Sequence, residues 1–314
     1  MARARRRVWR AALGAALVVL AAAPASGATL RIVTFNLYHG GPASGLWGDD
    51  ADLERRLAMV VRELRVLDPD VVALQEASWS WRRRSVAARL ADALGFPHHV
   101  YVPTTTRILP LLGHVVIWAM NFSEGPAVLS RFPIVVREVH DLPRCLKRWD
   151  PRVLLRAEVE TPAGRLEGYS THTSRDDCQL ARIADVLGPR RGAGAVLAGD
   201  LNTVEHAPGF RTLLEAAGLV DAFRAANPAT AGPTVWQRIR AAEPTVSRRV
   251  DYVLVRAAAG GDVRVLGSRV VLNRPEQTED GPLWPSDHYG VVADVEWVAR
   301  EGAEAPPPAG PQRG

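Results

Sequence analysis

The chain is 314 residues long, 47% hydrophobic and 23% charged, which excludes a disordered tail protein, a collagen-like repeat and a polytopic membrane protein. Its formal net charge is +5, but Arg3, Arg5, Arg6, Arg7 and Arg10 all lie in the first 28 residues, where there is no acid. Removing those five from 39 basic side chains leaves 34 against 34 acidic ones. The pI of 9.7 is therefore no argument for nucleic acid, whose binding draws on excess Lys and Arg.

In chain order, the basic residues precede an apolar run over 11–23 and the small residues Pro24-Ala25-Ser26-Gly27-Ala28. That is the order of a secretory signal peptide. It predicts that 1–28 is removed and that the protein is secreted, periplasmic or held at the cell surface. The run falls short of the roughly 20 residues that span a bilayer; an uncleaved anchor is the alternative. No later segment is long and apolar enough to span. A strand is predicted over 30–35. Leu53, Leu57, Val60, Leu64 and Leu67 then recur at helical spacing, with Asp50 or Asp52 as the cap. A buried strand at 71–74 precedes a helix through Val86, Leu90 and Leu94. Strands follow at 98–102, 133–139, 152–159 and 165–171, the last two joined by the turn Thr161-Pro162-Ala163-Gly164. A helix at about 177–187 leads into a strand at 195–198, and the last strands lie near 250–256, 262–271 and 289–297. There is no internal repeat and no linker within 29–300, whereas 301–314 is Pro- and Gly-rich and reads as a disordered tail. The pattern predicts one α+β domain over 29–300, a two-sheet β-sandwich with helices outside. The two cysteines, Cys145 and Cys178, can form one bridge in an oxidising compartment or remain unrelated thiols.

Polar residues end nearly every buried strand. Asn36 follows Ile32-Val33-Thr34-Phe35, Gln75-Glu76 follow Val71-Val72-Ala73-Leu74, and His172 follows Gly168-Tyr169-Ser170-Thr171. Asp200 and Asn202 follow 195–199, Asp251 lies in Arg249-Val250-Asp251-Tyr252-Val253, and Asp287-His288 precede the final strand. At adjacent strand ends these groups would converge on one rim. Hard oxygen donors such as Glu76 and Asp287 suit Mg²⁺ or Mn²⁺, and histidines beside carboxylates suit proton transfer. Singly, each has a structural reading: Asn36 capping a turn, Asp200-Leu201-Asn202 an Asx turn, Asp251 an ion-pair partner.

Together, Thr34-Phe35-Asn36, Leu74-Gln75-Glu76, Val128-Leu129-Ser130-Arg131, Thr171-His172, Gly199-Asp200-Leu201-Asn202, Val250-Asp251-Tyr252-Val253 and Ser286-Asp287-His288 resemble the endonuclease/exonuclease/phosphatase superfamily. The resemblance implies a four-layer αββα, DNase I-like fold and a divalent-metal-dependent phosphoester hydrolase, with Mg²⁺ or Mn²⁺ as the cofactor. By resemblance, Glu76 is the principal metal ligand, with Asn36 and Asp287 alongside or just outside. Asp200 and Asn202 position or activate the attacking water. His288 touches the phosphate with its other ring nitrogen held by Asp251, and His172 is the second imidazole there. Tyr38 stands where some relatives carry an acid, which puts a second metal ligand from that strand in doubt.

Substrate choice lives in loops. Arg82-Arg83-Arg84, flanked by Trp79 and Trp81, reads either as a phosphate-binding patch or as a solvated helix face with Trp81 packed inward. Residues 109–122 are unusually apolar and read either as a membrane-touching hairpin, with Trp118 and Phe122 at the interface, or as a buried element. The expectation is a secreted, monomeric phosphodiesterase that uses in-line water attack on a phospholipid or sphingolipid head group. The alternatives are an extracellular endonuclease, disfavoured by charge, and a non-catalytic binding protein on the same fold. None of the main site positions is lost, which favours the enzyme.

Overall fold

The first strand, β1 (Ala28–Asn36), buries Leu30 and Ile32 on one face and Val33 and Phe35 on the other, as a strand does when both faces of its sheet are covered. The computed structural model describes residues 28–39, 52–107, 112–145, 150–162, 164–188 and 193–299. The signal-like segment, Asp50 and the Pro/Gly-rich tail lie outside the described residues. After β1 come α1 (Leu53–Leu67), β2 (Val71–Ser80), β3 (Arg84–Ser85), α2 (Val86–Leu94), β4 (His98–Tyr101), α3 (Gly113–Met120) and β5 (Ser123–Ser130). Next are β6 (Ile134–Asp141), β7 (Val153–Thr161), β8 (Gly164–His172), α4 (Asp177–Leu187), β9 (Gly194–Asp200), α5 (Pro208–Ala217), β10 (Val220–Asp221) and α6 (Ala222–Ala226). The chain closes with β11 (Asp251–Arg256), β12 (Gly261–Val271), a small hairpin of β13 (Glu276–Thr278) and β14 (Gly281–Leu283), and β15 (Gly290–Ala299).

Two mixed sheets result, ordered β12-β15-β1-β2-β5-β4, with β3 paired to β2, and β10-β11-β9-β8-β7-β6. Ile32, Ala73, Val128, Leu155, Val196 and Val253 meet between them. Leu57, Leu64 and Leu90 of α1 and α2 cover Val33, Phe35 and Leu74 on the outside of the first sheet. Ile183 of α4 and Phe210 and Leu213 of α5 cover Leu197, Tyr252 and Leu254 on the outside of the second. The layers are therefore αββα, held by apolar faces worth about 1.5–3 kcal/mol for each large side chain fully buried. Two buried arginines tie the layers. Arg256 donates from Nη1 to the carbonyls of Gly188 and Ala217 at 2.8 and 3.0 Å, at the ends of α4 and α5. Arg56 on α1 donates to the Leu37, Tyr38 and Pro285 carbonyls at 2.7, 2.7 and 3.1 Å.

Several local expectations are corrected. β5 was not expected as a strand because Gly125-Pro126 interrupts its apolar pattern; the Pro126 carbonyl accepts from Val102 N at 3.1 Å, so the proline sits in the sheet without donating. Helix α5 was not expected either, although Pro208 starts it and Gly218, at φ 63°, closes it. Asp52 occupies the position before α1 but makes no capping bond, because its carboxylate pairs with Arg240. Arg82 and Arg83 lie in the turn between β2 and β3 and Arg84 begins β3, so the three arginines do not form a helix face. Trp81 at that hairpin tip does not pack inward; it is 48% exposed, its ring 5.6 Å from that of Trp118. Residues 113–120 are helical and not a hairpin, and Phe122 is buried. Cys145 and Cys178 are joined by a disulfide with Cα atoms 6.7 Å apart, linking the segment after β6 to the start of α4. Among the described residues no helix is long and apolar enough to cross a membrane.

Candidate active site

Strand register brings the predicted residues to one end of the sandwich. In β9, Val196 and Ala198 point between the sheets, so Asp200 follows them onto the inner face. Asp200 lies opposite His172 in the parallel pair with β8 and opposite Asp251 in the antiparallel pair with β11. Gly199 permits this closeness, since a Cβ there would meet the Thr171 carbonyl oxygen at 2.2 Å. In β1 the inner face runs Leu30, Ile32, Thr34, Asn36. Strict alternation in β2 would send Glu76 outward under the helices. Instead the pairing with β5 shifts between Leu74 and Ala77, and Glu76 takes φ 51°. This bulge turns Gln75 and Glu76 to the same side; the left-handed backbone of a non-glycine residue costs on the order of 1–3 kcal/mol.

The side chains then interlock. Asn36 Nδ2 donates to Glu76 Oε1 at 3.2 Å and to Asp200 Oδ2 at 3.1 Å, while its Oδ1 accepts from Tyr38 N at 3.0 Å. Asn36 thus holds two carboxylates with its nitrogen, its oxygen already engaged. Asp200 Oδ1 accepts from Asn202 N at 2.8 Å, and Oδ2 lies 3.3 Å from His172 Nε2 and 3.6 Å from His288 Nε2. His288 Nδ1 lies 2.9 Å from Asp251 Oδ2. Asn202 Nδ2 donates to Thr173 O at 2.8 Å and lies 3.0 Å from His172 Nε2. Asp287 sits to one side, accepting from Trp236 Nε1 at 2.9 Å and from Ser286 Oγ at 3.4 Å.

Four further residues belong to this rim that the sequence did not single out. His39, three residues past Asn36, places Nε2 3.2 Å from both Glu76 Oε2 and Glu124 Oε2. Glu124 comes from the start of β5, where alternation back from Val128 puts it on the inner face. Arg152, just before β7, donates from Nη1 to His172 Nδ1 at 2.8 Å and pairs with Asp150. Arginine has only donors, so His172 accepts at Nδ1 and carries its hydrogen on Nε2. Trp236 is tied to the rim through Gln237 N, which donates to Asp287 O at 2.7 Å. It borders a cavity of about 730 Å³ with Tyr38, Arg238, Ile239, Thr245 and Asp287. By contrast, Ser130 and Arg131 of the matching motif lie at the other end of the sheet, beside Val71 and Asp70, and are structural.

Electrostatics separate the roles. Burial pushes the Asp200 carboxyl up and neighbouring Asp251 adds to this, against the pull of His288 and the Asn202 and Asn36 hydrogen bonds, leaving it at about 7. Burial opposes charge on His288, but Asp251 and Asp200 outweigh it and hold the imidazole well above the usual histidine range. Burial raises Glu76, countered by His39 and reinforced by Glu124 and Asp287. Partial burial also raises Glu124, yet the His39 contact and Arg152 outweigh it and bring the carboxyl below the usual glutamate range. His39, Glu76 and Glu124 each offer one ligand atom within 4.8 Å of the others, a donor set of two carboxylates and one imidazole that fits a divalent cation. A buried cationic imidazole, a neutral one, a carboxyl poised near neutrality and a carboxylate cluster for a cation define a site for hydrolysing an anionic ester.

The comparisons agree with that class. The sequence profile of the Endonuclease/Exonuclease/phosphatase family matches residues 33–288, and the chain belongs to this family. Membership makes it a phosphoester hydrolase of a generally metal-dependent class. It is similar to an endonuclease/exonuclease/phosphatase from Beutenbergia cavernae DSM 12333, with 26% identity and a TM-score of 0.62 over 86% of this chain and 72% of that one. The mannosyl-6-phosphatase of Bacteroides thetaiotaomicron VPI-5482 shares the fold at 16% identity and a TM-score of 0.62, over 85% of this chain and 99% of that one. So does truncated Caenorhabditis elegans TDP2, at 16% identity and a TM-score of 0.57 over 85% and 97%. No curated protein matches the sequence.

Proposed function

We propose that this chain is an exported phosphodiesterase, dependent on Mg²⁺ or Mn²⁺, that cleaves by in-line attack of water and acts on a lipid head group. The observation that carries the chemistry is the convergence of His172, His288 and Asn202 on Asp200, with Glu76 held beside them by Asn36. A phosphodiester is anionic and repels the nucleophile, so donors aimed at its oxygens do most of the work. His288, kept cationic by Asp251, donates from Nε2. His172, its Nδ1 occupied by Arg152, donates as a neutral imidazole. Asp200, near 7, takes the proton of a water that Asn202 helps to orient. Glu76 would hold the divalent cation, which when bound neutralises charge on the phosphate and the leaving oxygen.

Support for a lipid substrate comes from α3. Leu112, Val115 and Trp118 are 56%, 58% and 64% exposed, and Trp81 packs on Trp118 to extend the apolar surface. Aromatic side chains with an apolar body and a polar tip suit the membrane–water boundary. The patch adjoins the rim: Asn121 Oδ1 accepts from Trp81 N at 2.6 Å, and the next residue, Phe122, packs on His39 with ring centroids 5.0 Å apart. The neutral charge beyond residue 28 argues against a dedicated nuclease. A panel of sphingomyelin, phosphatidyl lipids, plasmid DNA and inositol phosphates with Mg²⁺ tests the substrate. Turnover led by a lipid is expected, and plasmid cleavage as the dominant activity would overturn the lipid assignment. Export is tested by intact mass of the protein recovered outside the cytoplasm, which should lack about its first 28 residues; a retained N-terminus would point to an anchor.

A further inference from the structure

We infer that His39 and Glu124 complete the cation site with Glu76, giving it a nitrogen ligand and a preference for Mn²⁺ over Mg²⁺. The inference rests on the reading of Glu76 as the residue that holds the metal. His39 Nε2 is equidistant, at 3.2 Å, from Glu76 Oε2 and Glu124 Oε2. A single ring nitrogen offers one hydrogen or one lone pair, so a direct hydrogen bond serves one carboxylate well and not both. One ion accepts all three donors at once, and adjacent ligands of an octahedral ion with bonds of about 2.1 Å stand about 3 Å apart. The three side chains are 14%, 16% and 19% exposed, enough for an ion to enter from solvent.

The two oxygens of Glu76 face different ways. Oε1 accepts from Asn36 and lies 3.9 Å from His172 Nδ1, toward the phosphate side, whereas Oε2 faces His39 and Glu124. The two carboxylates meet a divalent charge at Oε2, and Arg152 remains the counter-charge beyond Glu124. The His39 ring is fixed on one side by Phe122, so the nitrogen is held in place. Carboxylates suit both Mg²⁺ and Mn²⁺; an imidazole is a ligand for first-row transition ions and a poor one for Mg²⁺, so between these two ions it tips the balance toward Mn²⁺, the weakest binder of its row.

The test uses the full chain stripped of metal and titrated with Mn²⁺ or Mg²⁺ alone. Calorimetry should give one site with Mn²⁺ bound at least 10-fold more tightly than Mg²⁺, and pulsed EPR of the Mn²⁺ form should show ¹⁴N coupling. His39→Ala should remove that coupling and weaken Mn²⁺ more than Mg²⁺, while Glu124→Gln should weaken both about 10-fold. His172→Ala should keep the coupling, which identifies the nitrogen as that of His39. Bound Mn²⁺ without ¹⁴N coupling in the wild type overturns the inference whatever the variants do, and leaves Glu76 as a ligand. Failure of either ion to bind overturns the metal-dependent reading itself, and this inference with it.

Discussion

Replacing Asp251 with Asn removes a charge from a completely buried position while nearly preserving its shape. Asp251 Oδ2 is 2.9 Å from His288 Nδ1, and Asp251 N donates to Thr234 Oγ1 at 3.3 Å, so the backbone has an independent anchor. The substitution converts a charge-assisted hydrogen bond into a neutral one and lets the imidazole give up its proton more easily. A hydrogen bond to a charged group is worth about 1.5–3 kcal/mol, which corresponds to a loss of roughly 10- to 150-fold in turnover at about 1.4 kcal/mol for each factor of ten. The assay is kcat on a chromogenic phosphodiester with Mg²⁺ for Asp251→Asn, His288→Ala and the double variant, with thermal melts alongside. Residues that act as one unit give non-additive losses, so the double variant should be little worse than His288→Ala. Losses that multiply in full would refute the coupling. A lowered melting temperature with unchanged turnover per folded molecule would make Asp251 a structural partner only.

The remaining predictions concern stability. The Cys145–Cys178 bridge spans a sequence separation of 33; chain-entropy arithmetic gives it about 3–4 kcal/mol, and Cys145→Ser with Cys178→Ser should lower the melting temperature by about 10 °C. Two freely alkylated thiols in peptide maps of native protein would contradict the bridge. In metal-free protein, Asp200 is raised from 3.8 to about 7 by burial and the charge of Asp251, so the native state binds a proton that the unfolded chain lacks across that window. Its stabilising contribution is lost as pH rises through about 7. His288, raised above 6.5 by Asp251 and Asp200 against the effect of burial, acts in the same direction at higher pH. Chelator-treated protein should therefore melt lower at pH 8.5 than at pH 6, and Asp200→Asn should flatten the profile below pH 7.5; a melting temperature that climbs across this range would refute the assignment.

Asn36, His172, Asp200 and Asp251 were legible because each ends or begins a strand whose apolar residues alternate, and parallel or adjacent pairing then fixes where strand ends meet. Glu76 was legible as a strand-end carboxylate, but not its direction, which depends on a bulge that sequence alternation does not show. His288 could be placed beside Asp251 only by resemblance, since the contact crosses from β11 to the segment before β15. Asp287 was placed alongside the metal or just outside its ligands by resemblance; its charge acts on Glu76 while its Oδ2 accepts from Trp236 Nε1, a contact with a residue that no motif marked. His39 and Arg152 stand just outside strands, where no periodicity marks them, and are brought in by loop geometry. Glu124 was hidden because Gly125-Pro126 disguises β5; counting inward from Val128 would have found it. The apolar run at 109–122 carried too few polar residues to distinguish a helix from a hairpin, and α3 leaves Trp118 exposed while Phe122 is buried.

The most direct test of a cation held by Glu76 for phosphoester hydrolysis is turnover of a chromogenic phosphodiester by chelator-treated protein, followed through add-back of Mg²⁺ or Mn²⁺, for the wild type and Glu76→Gln. The wild type should fall to background with chelator and recover with metal, and Glu76→Gln should stay at least 10²-fold lower at every metal concentration while melting as a folded protein. Undiminished hydrolysis in excess chelator, or a Glu76→Gln variant that recovers like the wild type, would contradict the account.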